Sequence, residues 1–286
     1  MGKIVIVGSG PAGCSAALYA ARAGQEVVVI SMGMGALSKA ELIQNYYGFE
    51  EGITGAELYR QGVAGAKAVG AEFITAEVVG LDYTGSLVVQ TTEGDYPADA
   101  VILATGTGRI APKIAGLAEH EGRGVSYCAT CDAFFYRGKT AAVLGSGEYA
   151  LHEVQALLPL AGRVILCTNG EPLTADFPEG VEICTEKLAA VEGEEKVSAL
   201  RLENGELLPV EGLFVALGVA GSAALARKLG APVENGRIVV DERMQTGIPG
   251  LYAAGDCTGG LLQVCKAVYE GALAATEAIK QIRGKK

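Results

Sequence analysis

The feature that most constrains this chain is an apolar strand pattern that runs directly into a glycine turn and a helix. Lys3–Val7 is a continuous β-branched run after its first residue, as is typical of a strand buried on both faces. The turn Gly8–Gly13, an alanine-rich helix to about Ala23 and a second strand at Val27–Ile30 follow it. Glycines in such a unit let the backbone approach a pyrophosphate at the helix N-terminus. The pattern therefore predicts a dinucleotide-binding α/β domain.

The same pattern returns in the middle of the chain. Thr140–Leu144 predicts a strand, and Gly145, Gly147 and Ala150 follow it in a second glycine turn. After a helical segment, Val164–Cys167 closes the unit as another strand. A lone glycine motif is a weak signal, so the repeat of the whole strand–turn–helix–strand order carries the inference. The sequence predicts an α/β fold with two Rossmann-like dinucleotide-binding domains.

The end of the chain predicts that the second domain is inserted in the first. A strand pattern at Ile248–Asp256 ends in a glycine and an acid, and a final amphipathic helix follows. The carboxylate suits a flavin, because it can accept a hydrogen bond from the ribityl chain or lie near the pyrophosphate. The alternative is a carboxylate that only caps a turn. We therefore place the first domain at residues 1–112 and 244–286, and the second at residues 113–243.

A cysteine pair in the second domain indicates redox chemistry. Cys128 and Cys131 have two residues between them and Asp132 directly after them. A Cys-x-x-Cys at a helix start favours a thiolate, because the helix dipole and free amides stabilise its charge. The carboxyl group could exchange the proton that thiol–disulfide chemistry requires. Half of a zinc site is the alternative, but the other cysteines are isolated in sequence and the chain has two histidines, so no metal is predicted. We expect the neighbouring Phe134 and Phe135 to be core residues.

The charge and the cysteine count narrow the class of partners and the compartment. The chain has 23 Lys and Arg against 33 Asp and Glu, a formal net charge of −10. This composition argues against nucleic acid and disfavours an anionic membrane surface. Residues 4–21 carry no charge, but Gly8, Gly10 and Pro11 would break an apolar helix there. Seven cysteines, an odd number, do not fit a secreted disulfide scaffold. We expect a cytoplasmic protein.

Together the motifs resemble those of the low-molecular-weight thioredoxin reductases, in the same order along the chain. The segment Cys128-Ala-Thr-Cys-Asp132 is the most specific of them. The resemblance implies a three-layer ββα form of both domains, FAD as the cofactor, a homodimer, and thioredoxin as the protein substrate. It implies that Cys131 faces the flavin, that Cys128 attacks the partner disulfide, and that Asp132 acts as acid–base. The residues that it assigns to FAD are Gly8, Ser9, Gly10, Pro11, Ala12, Gly13, Ser31, Asn45, Ala104, Thr105, Gly106, Gly255, Asp256 and Gln263.

The second dinucleotide unit departs from that family in its charge. NADPH-using members carry a His-Arg-Arg cluster after the second strand, where this chain has Cys167-Thr-Asn-Gly-Glu171. Residues 164–186 contain no Lys or Arg and five acids, so a dianionic 2′-phosphate would meet repulsion instead of charge-assisted bonds. We therefore treat Gly145, Gly147 and Ala150 as a degenerate second nucleotide site. An NADH ribose, which lacks that phosphate, remains possible.

A second resemblance concerns the electron donor. The degenerate site, together with Ala36-Leu37 and Asn45-Tyr-Tyr-Gly48, resembles the flavin-dependent ferredoxin–thioredoxin reductases. This implies that electrons pass from reduced ferredoxin via the flavin and the Cys128–Cys131 disulfide to thioredoxin. The alternatives are an NADH- or NADPH-dependent thioredoxin reductase, a protein with a second flavin or other nucleotide in the degenerate site, and a flavin-bearing redox sensor that does not turn over. Docking of an acidic ferredoxin would need a basic patch, for which the candidates are Arg60, Arg109, Arg123, Arg137 and Lys139.

Overall fold

The computed structural model describes residues 2–106, 114–218 and 221–284. The chain forms two compact units. Unit 1 is Met1–Gly108 with Gly221–Lys286, and unit 2 is Arg109–Ala220. Each unit contains a five-stranded parallel sheet and a three-stranded antiparallel sheet. The predicted α/β class with two Rossmann-like domains is confirmed.

Unit 1 contains the N-terminal and C-terminal segments of the chain. Its strands are β1 (Lys3–Val7), β2 (Glu26–Ile30), β3 (Glu72–Ile74), β4 (Val78–Tyr83), β5 (Leu87–Thr91), β6 (Gly94–Ala98), β7 (Ala100–Leu103), β16 (Val233–Glu234), β17 (Arg237–Ile238) and β18 (Leu251–Ala253). Its helices are α1 (Pro11–Arg22), α2 (Gly55–Ala68), α5 (Ser222–Lys228) and α6 (Val264–Gly284), with 3-10 turns at Gly35–Lys39 and Asp256–Thr258.

The parallel sheet of unit 1 has the order β18-β7-β1-β2-β3. Its central strand β1 is buried from Ile4 to Val7, which is why its sequence is apolar without alternation. Each fully buried Val or Ile contributes about 1.5–3 kcal/mol relative to an exposed position. The helices α1 and α6 pack on the sheet through alanines, among them Ala16, Ala17 and Ala274. Small side chains bring these two helices close together.

Unit 2 repeats the arrangement. Its strands are β8 (Val125–Ser126), β9 (Thr140–Leu144), β10 (Arg163–Cys167), β11 (Glu182–Cys184), β12 (Leu188–Glu192), β13 (Ala199–Leu202), β14 (Leu207–Pro209) and β15 (Gly212–Val215). Its helices are α3 (Ala129–Asp132) and α4 (Glu148–Leu157), with a 3-10 turn at Ala133–Tyr136. The parallel sheet has the order β11-β10-β9-β15-β8, so β11 is an edge strand.

Two details differ from what the sequence suggested. Residues 221–243, placed by sequence in the second domain, lie in unit 1, because α5 packs on β4 and the Lys228 ammonium donates to the Val79 carbonyl at 3.2 Å. The other predicted boundary, at residues 112 and 113, falls outside the described residues. Phe134 and Phe135 are exposed rather than core residues. In their place Tyr136 turns inward and packs edge-on against Phe214, with ring centroids 5.1 Å apart.

None of the helices in the described residues is both long and apolar enough to cross a membrane. The longest helix, α6, runs from Val264 to Gly284 and carries five charged side chains between Lys266 and Arg283. The charge-free N-terminal stretch is divided between β1, a turn and α1. Both β1 and α1 belong to unit 1.

The contact between α1 and α6 requires a glycine on α6. A Cβ at Gly271 would lie 2.0 Å from the Ala12 carbonyl oxygen, whereas a Cβ at Gly65 in α2 would meet only the Leu18 side chain at 4.0 Å. We therefore expect Gly271→Ala to lower the free energy of unfolding by about 3 kcal/mol, as overpacking does. Gly65→Ala should raise it by about 0.5–1 kcal/mol, because alanine is the better helix former. Denaturant unfolding of both variants measures the difference. Equal stabilities would contradict the close packing.

Candidate functional site

Unit 1 contains a cavity of about 460 Å³ beside the ends of β1, β7 and β18. In an open parallel sheet, ligands bind outside the carboxyl ends of the strands. Twelve of the fourteen residues that the sequence assigns to a cofactor line this cavity. They are Gly8, Ser9, Gly10, Pro11, Ala12, Asn45, Ala104, Thr105, Gly106, Gly255, Asp256 and Gln263. Gly13 and Ser31 lie outside the lining set.

The glycine turn that forms the cavity floor is held by contacts between backbone atoms. Gly8 has φ +108°, and a Cβ there would lie 2.4 Å from the Ala104 carbonyl oxygen. A Cβ at Gly13 would lie 1.8 Å from the Gly8 carbonyl oxygen. Gly13 therefore does not line the cavity. Its lack of a side chain lets the start of α1 pack closely on the end of β1. Its contribution is structural support for the cavity.

The N-terminus of α1 opens into the cavity. Gly10 is the N-cap residue, Pro11 follows it, and no side chain caps the helix. A Cβ at Gly10 would have no atom within 4 Å, so the space in front of the helix is free. The backbone N–H groups and the positive end of the helix dipole suit an anionic group such as a pyrophosphate.

Ser31 contacts the turn through another serine. The Ser9 and Ser31 hydroxyl oxygens are 2.6 Å apart, and the Ser9 oxygen is 3.1 Å from the Tyr59 hydroxyl. Ser9 also donates to the Gly33 carbonyl at 3.3 Å. Ser31 thus supports a residue of the cavity lining. Tyr59 of helix α2, which was not predicted, completes this hydroxyl cluster.

Two further pairs join cavity residues that are distant in sequence. The Asn45 amide donates to the Gln263 side-chain oxygen at 2.8 Å, so two predicted residues meet directly. The Thr105 hydroxyl lies 2.6 Å from the Ser222 hydroxyl, and the Ser222 amide donates back to Thr105 at 2.8 Å. Ser222, at the start of α5, was not predicted as a site residue, because no sequence motif marks it.

A largely buried ion pair, which was not predicted, holds the Gly255-Asp256 turn. The Lys266 ammonium donates to the Gly255 carbonyl at 2.9 Å and lies 3.0 Å from the Glu270 carboxylate. The same carboxylate accepts from the Gly255 amide at 2.8 Å and from the Thr258 hydroxyl at 3.0 Å. The i, i+4 spacing of lysine and glutamate on α6 is the sequence signal that could have revealed it.

The ion pair also sets the electrostatic environment of Asp256. Burial raises the pKa of the Asp256 carboxyl above its ordinary value, and the charge of Glu270 adds to this rise. The positive charge of Lys266 opposes it and lowers the pKa. Lys266 therefore favours the ionised form of Asp256, the form that accepts hydrogen bonds from a ligand hydroxyl.

The cavity residues fit the FAD that the resemblance implies. The volume lies within the range of about 300–1,000 Å³ found for small-molecule and cofactor sites. The α1 N-terminus would hold the pyrophosphate, and Asp256 would accept from a ribityl hydroxyl. Asn45 and Gln263 would lie at the flavin ring. Gly33, Gly35 and Gly106 would leave room, since a Cβ at any of these three would meet no atom within 4 Å.

The predicted redox pair in unit 2 is a disulfide. Cys128 and Cys131 are bonded, with Cα atoms 5.4 Å apart. Cys128 is the N-cap of the short helix α3, and its sulfur accepts from the Cys131 amide at 3.1 Å. Cys128 is 4% exposed, whereas Cys131 is exposed. The bond leaves neither sulfur available to a metal, and no cluster of three or more metal-ligating side chains occurs among the described residues.

Two polar side chains support the disulfide. The Ser126 hydroxyl donates to the Asp132 carboxylate at 2.6 Å and accepts from the Cys128 amide at 3.1 Å. Glu153, on α4 and 1% exposed, accepts from the Ala129 amide at the start of α3. Ser126 and Glu153 were not predicted. Glu153 lies twenty-odd positions further along the chain, so only the fold brings it there.

The second glycine turn keeps its shape but is covered by its own chain. A Cβ at Gly145 would lie 2.2 Å from the Ala216 carbonyl oxygen and 2.8 Å from the Ala150 Cβ. In front of the turn, the Thr174 amide donates to the Ser146 carbonyl at 2.8 Å. A Cβ at Gly147 would lie 3.0 Å from the Thr174 hydroxyl. The segment around Thr174 therefore lies directly against the second glycine turn.

The Lys266–Glu270 pair provides a test of how the cavity is held. We expect Glu270→Ala to lower the free energy of unfolding by about 3–5 kcal/mol, because it leaves a buried ammonium without its partner. FAD affinity should fall with it, as the Gly255-Asp256 turn loses its acceptor. Denaturant unfolding and fluorescence of released FAD measure both effects.

Two variants act as controls for that test. Arg60→Ala removes a cation from an ion pair whose two side chains are both exposed on α2 and should leave the free energy of unfolding nearly unchanged. Removing both partners, in Lys266→Ala with Glu270→Ala, should recover part of the lost stability. Full FAD affinity in Glu270→Ala would contradict the positioning role.

Comparison with known proteins identifies the family of the chain. The model of the family described as Pyridine nucleotide-disulphide oxidoreductase matches residues 2–271. A thioredoxin reductase of Aquifex aeolicus is 35% identical over 99% of this chain and 94% of its own length. The atypical thioredoxin reductase from Desulfovibrio vulgaris Hildenborough has a crystal structure with TM-score 0.93 and 40% identity, covering 99% of both chains.

A second solved structure is similar over the same length. It is a ferredoxin-flavin thioredoxin reductase from Clostridium acetobutylicum, with TM-score 0.74 and 35% identity, covering 99% of this chain and 98% of that one. The family match, these identities over nearly whole chains, and a cavity whose residues fit FAD agree with one another. The chain belongs to the thioredoxin reductase family of FAD-binding pyridine nucleotide-disulphide oxidoreductases.

Proposed function

We propose that this protein is a disulfide reductase that uses electrons from reduced ferredoxin to reduce thioredoxin through the Cys128–Cys131 pair. Bound FAD supplies a centre that accepts electrons singly or in pairs. The observation that carries the choice of donor is the covered second nucleotide site in unit 2. Thioredoxin as the acceptor follows from family membership and from the exchange-competent cysteine pair.

The residues around the disulfide have defined roles in this proposal. Reduction of the disulfide takes two electrons and two protons and leaves two thiols. The Cys128 thiolate, which the Cys131 amide stabilises at the start of α3, attacks the partner disulfide and forms a mixed disulfide. Cys131 then attacks Cys128 and releases the reduced partner. Asp132, held by Ser126, exchanges protons with the thiols.

The surface beside the disulfide suits a protein partner. Phe134 and Phe135 are each 66% exposed directly after α3, and exposed apolar groups of this kind mark interaction sites. The Arg137 guanidinium lies 5.2 Å from the Phe134 ring centre, and Lys139 lies 6.0 Å from that of Tyr136. These cations would favour an acidic partner. Because Cys128 is buried, attack on a protein disulfide requires a change that exposes it.

The electrostatics of unit 2 argue against NADPH as donor. Glu148 in the first turn of α4 and Asp176 line a cleft of about 620 Å³ beside the segment around Thr174. A carboxylate at a helix N-terminus takes the place that a phosphate would occupy. Arg163 is engaged with Glu182 at 2.7 Å. A 2′-phosphate would therefore meet negative charge and the segment around Thr174.

The remaining candidates for a ferredoxin-docking patch are few. Arg60 forms an ion pair with Glu57, and Arg123 donates to the Glu119 carbonyl. Arg109 lies outside the described residues. Arg137 and Lys139, beside the exposed phenylalanines, are therefore the candidate cations left for docking an acidic ferredoxin.

A second candidate is an NADH-dependent reductase. The geometry of Gly145 and Ala150 in the second turn is retained, and NADH carries no 2′-phosphate. In that case the segment around Thr174 would have to move away from Ser146. A second flavin or nucleotide in this site would require the same movement. A redox sensor without turnover is disfavoured, because a sensor needs no exchange-competent cysteine pair.

We further propose a homodimer in the cytoplasm, as family membership and the cysteine content suggest.

The electron donor is tested by anaerobic titration of the FAD-loaded protein. We expect reduced ferredoxin to bleach the visible flavin absorption with up to about four one-electron equivalents per FAD, because the Cys128–Cys131 disulfide takes two of them. NADPH and NADH at the same equivalents should leave it unchanged. Dithionite is the control that the flavin is reducible. Stoichiometric bleaching by NADH or NADPH, without bleaching by ferredoxin, would overturn the proposed donor.

The cysteine roles are tested by trapping the mixed disulfide. The Cys131→Ser variant keeps the attacking thiol but cannot release the partner, so it should accumulate a covalent adduct with thioredoxin. Cys128→Ser is the matched control and should form little adduct, and both variants should lose turnover. Non-reducing gel electrophoresis and peptide mass analysis identify the bond. An adduct through Cys131 in the Cys128→Ser variant alone would reverse the roles.

A further inference from the structure

Unit 2 brings together two cysteines that are isolated in the sequence. Cys167 is the last residue of β10 and Cys184 the last residue of β11, and the two are direct partners in the parallel register. Neighbouring strands lie about 4.8 Å apart, and register partners point to the same face of the sheet. Disulfides form at Cα separations of about 4.4–6.8 Å. The backbone therefore permits a bond between these residues.

The two thiols differ in environment in the way that a reactive pair requires. Cys167 is fully buried, whereas Cys184 is partly exposed on the edge strand β11. The Cys167 thiol donates a hydrogen bond to the Cys184 sulfur, which also accepts from the Glu186 amide. Cys184 is thus open to a small reagent, and its partner lies directly behind it.

The hydrogen bonds also determine which sulfur ionises. They lower the pKa of the Cys184 thiol to about 6, against burial and the charges of Glu186 and Glu206, which raise it. The pKa of Cys167 rises, because ionisation would remove the donated proton, because the residue is buried, and because Cys184 and Glu182 add negative charge. At neutral pH the exposed sulfur is the nucleophile and the buried one keeps its proton.

We propose that Cys167 and Cys184 form a second redox-active dithiol, which a peroxide converts into a disulfide distinct from Cys128–Cys131. The Cys184 thiolate attacks a peroxide oxygen, the O–O bond breaks, and a sulfenic acid and hydroxide form. The Cys167 sulfur then attacks the Cys184 sulfur, and the sulfenic oxygen leaves as water with the Cys167 proton. The hydroxide takes up the proton that Cys184 lost. Two thiols and hydrogen peroxide give one disulfide and two waters.

The Cys167–Cys184 disulfide would restrain the segment that lies against the second glycine turn. The Thr168 amide donates to the Cys184 carbonyl at 2.9 Å, and the Asn169 side chain accepts from the Leu188 amide at 2.8 Å. These residues begin the segment that continues to Thr174 in front of the second glycine turn. A disulfide at this point would tie the edge strand β11 covalently to β10 and hold the start of that segment in place.

Peptide mapping of the FAD-loaded full chain tests the proposal. The protein is reduced with dithiothreitol, freed of reductant, treated with hydrogen peroxide, and alkylated with N-ethylmaleimide after denaturation. We expect a cross-linked peptide pair that contains Cys167 and Cys184 and that dithiothreitol separates. The Cys128–Cys131 disulfide, formed in the same sample, shows that the oxidation worked. The cross-link should be absent in Cys184→Ser and retained in Cys265→Ser, which removes an exposed free cysteine elsewhere.

The pH dependence of alkylation provides an independent readout. Iodoacetamide should label Cys184 at a rate that falls to half near pH 6, because the thiolate is lost as the pH drops through its pKa. Cys167→Ala removes the thiol donor and leaves no hydroxyl in its place, so it should shift this midpoint upward, towards the ordinary cysteine value of about 8.5. Full alkylation of Cys167 and Cys184 after peroxide treatment, or a midpoint that Cys167→Ala does not shift, would overturn the proposal.

Discussion

The cofactor cavity depends on close contacts of backbone around Ala12. Gly8 and Gly13 let the first turn of α1 pack on the end of β1, and Gly271 lets α6 lie against the Ala12 carbonyl. Gly255 approaches the same residue, since its Cβ would lie 3.0 Å from the Ala12 side chain. At each position a Cβ would push apart two elements of the cavity wall. These contacts keep the Gly255-Asp256 turn and the N-terminus of α1 side by side in the cavity wall.

The two units share a fold, but different groups surround the glycine turn in each of them. In unit 1 the N-terminus of α1 faces open space, and a buried lysine opposes the rise in the pKa of Asp256. In unit 2 the equivalent turn is covered by Thr174 and has Glu148 in the first turn of its helix. A retained glycine motif therefore reports a backbone shape, while the groups around it differ between the two units. The difference between the units is the physical basis for proposing a protein electron donor.

Much of the fold could be predicted, because its signals are local. The strand β1, its turn and α1 carry their pattern within some twenty residues, and the second copy repeats it. Prediction failed where exposure or contact depends on elements distant in sequence. Phe134 and Phe135 are apolar, but Tyr136 takes the buried position beside Phe214. Residues 221–243 pack with unit 1 because α5 contacts β4, which precedes it by more than a hundred residues.

The sequence by itself determined the fold class, the redox pair and the likeness to one enzyme family, since each rests on closely spaced residues with a fixed stereochemical use. It also showed that cations are missing after β10. Only the tertiary structure decided what surrounds these motifs. It joined Lys266 and Glu270 to the Gly255-Asp256 turn and placed Glu153 at the start of α3. It set Cys167 beside Cys184 through the register of two parallel strands. Strand register and helix packing are properties of the whole sheet, so no local pattern reveals them.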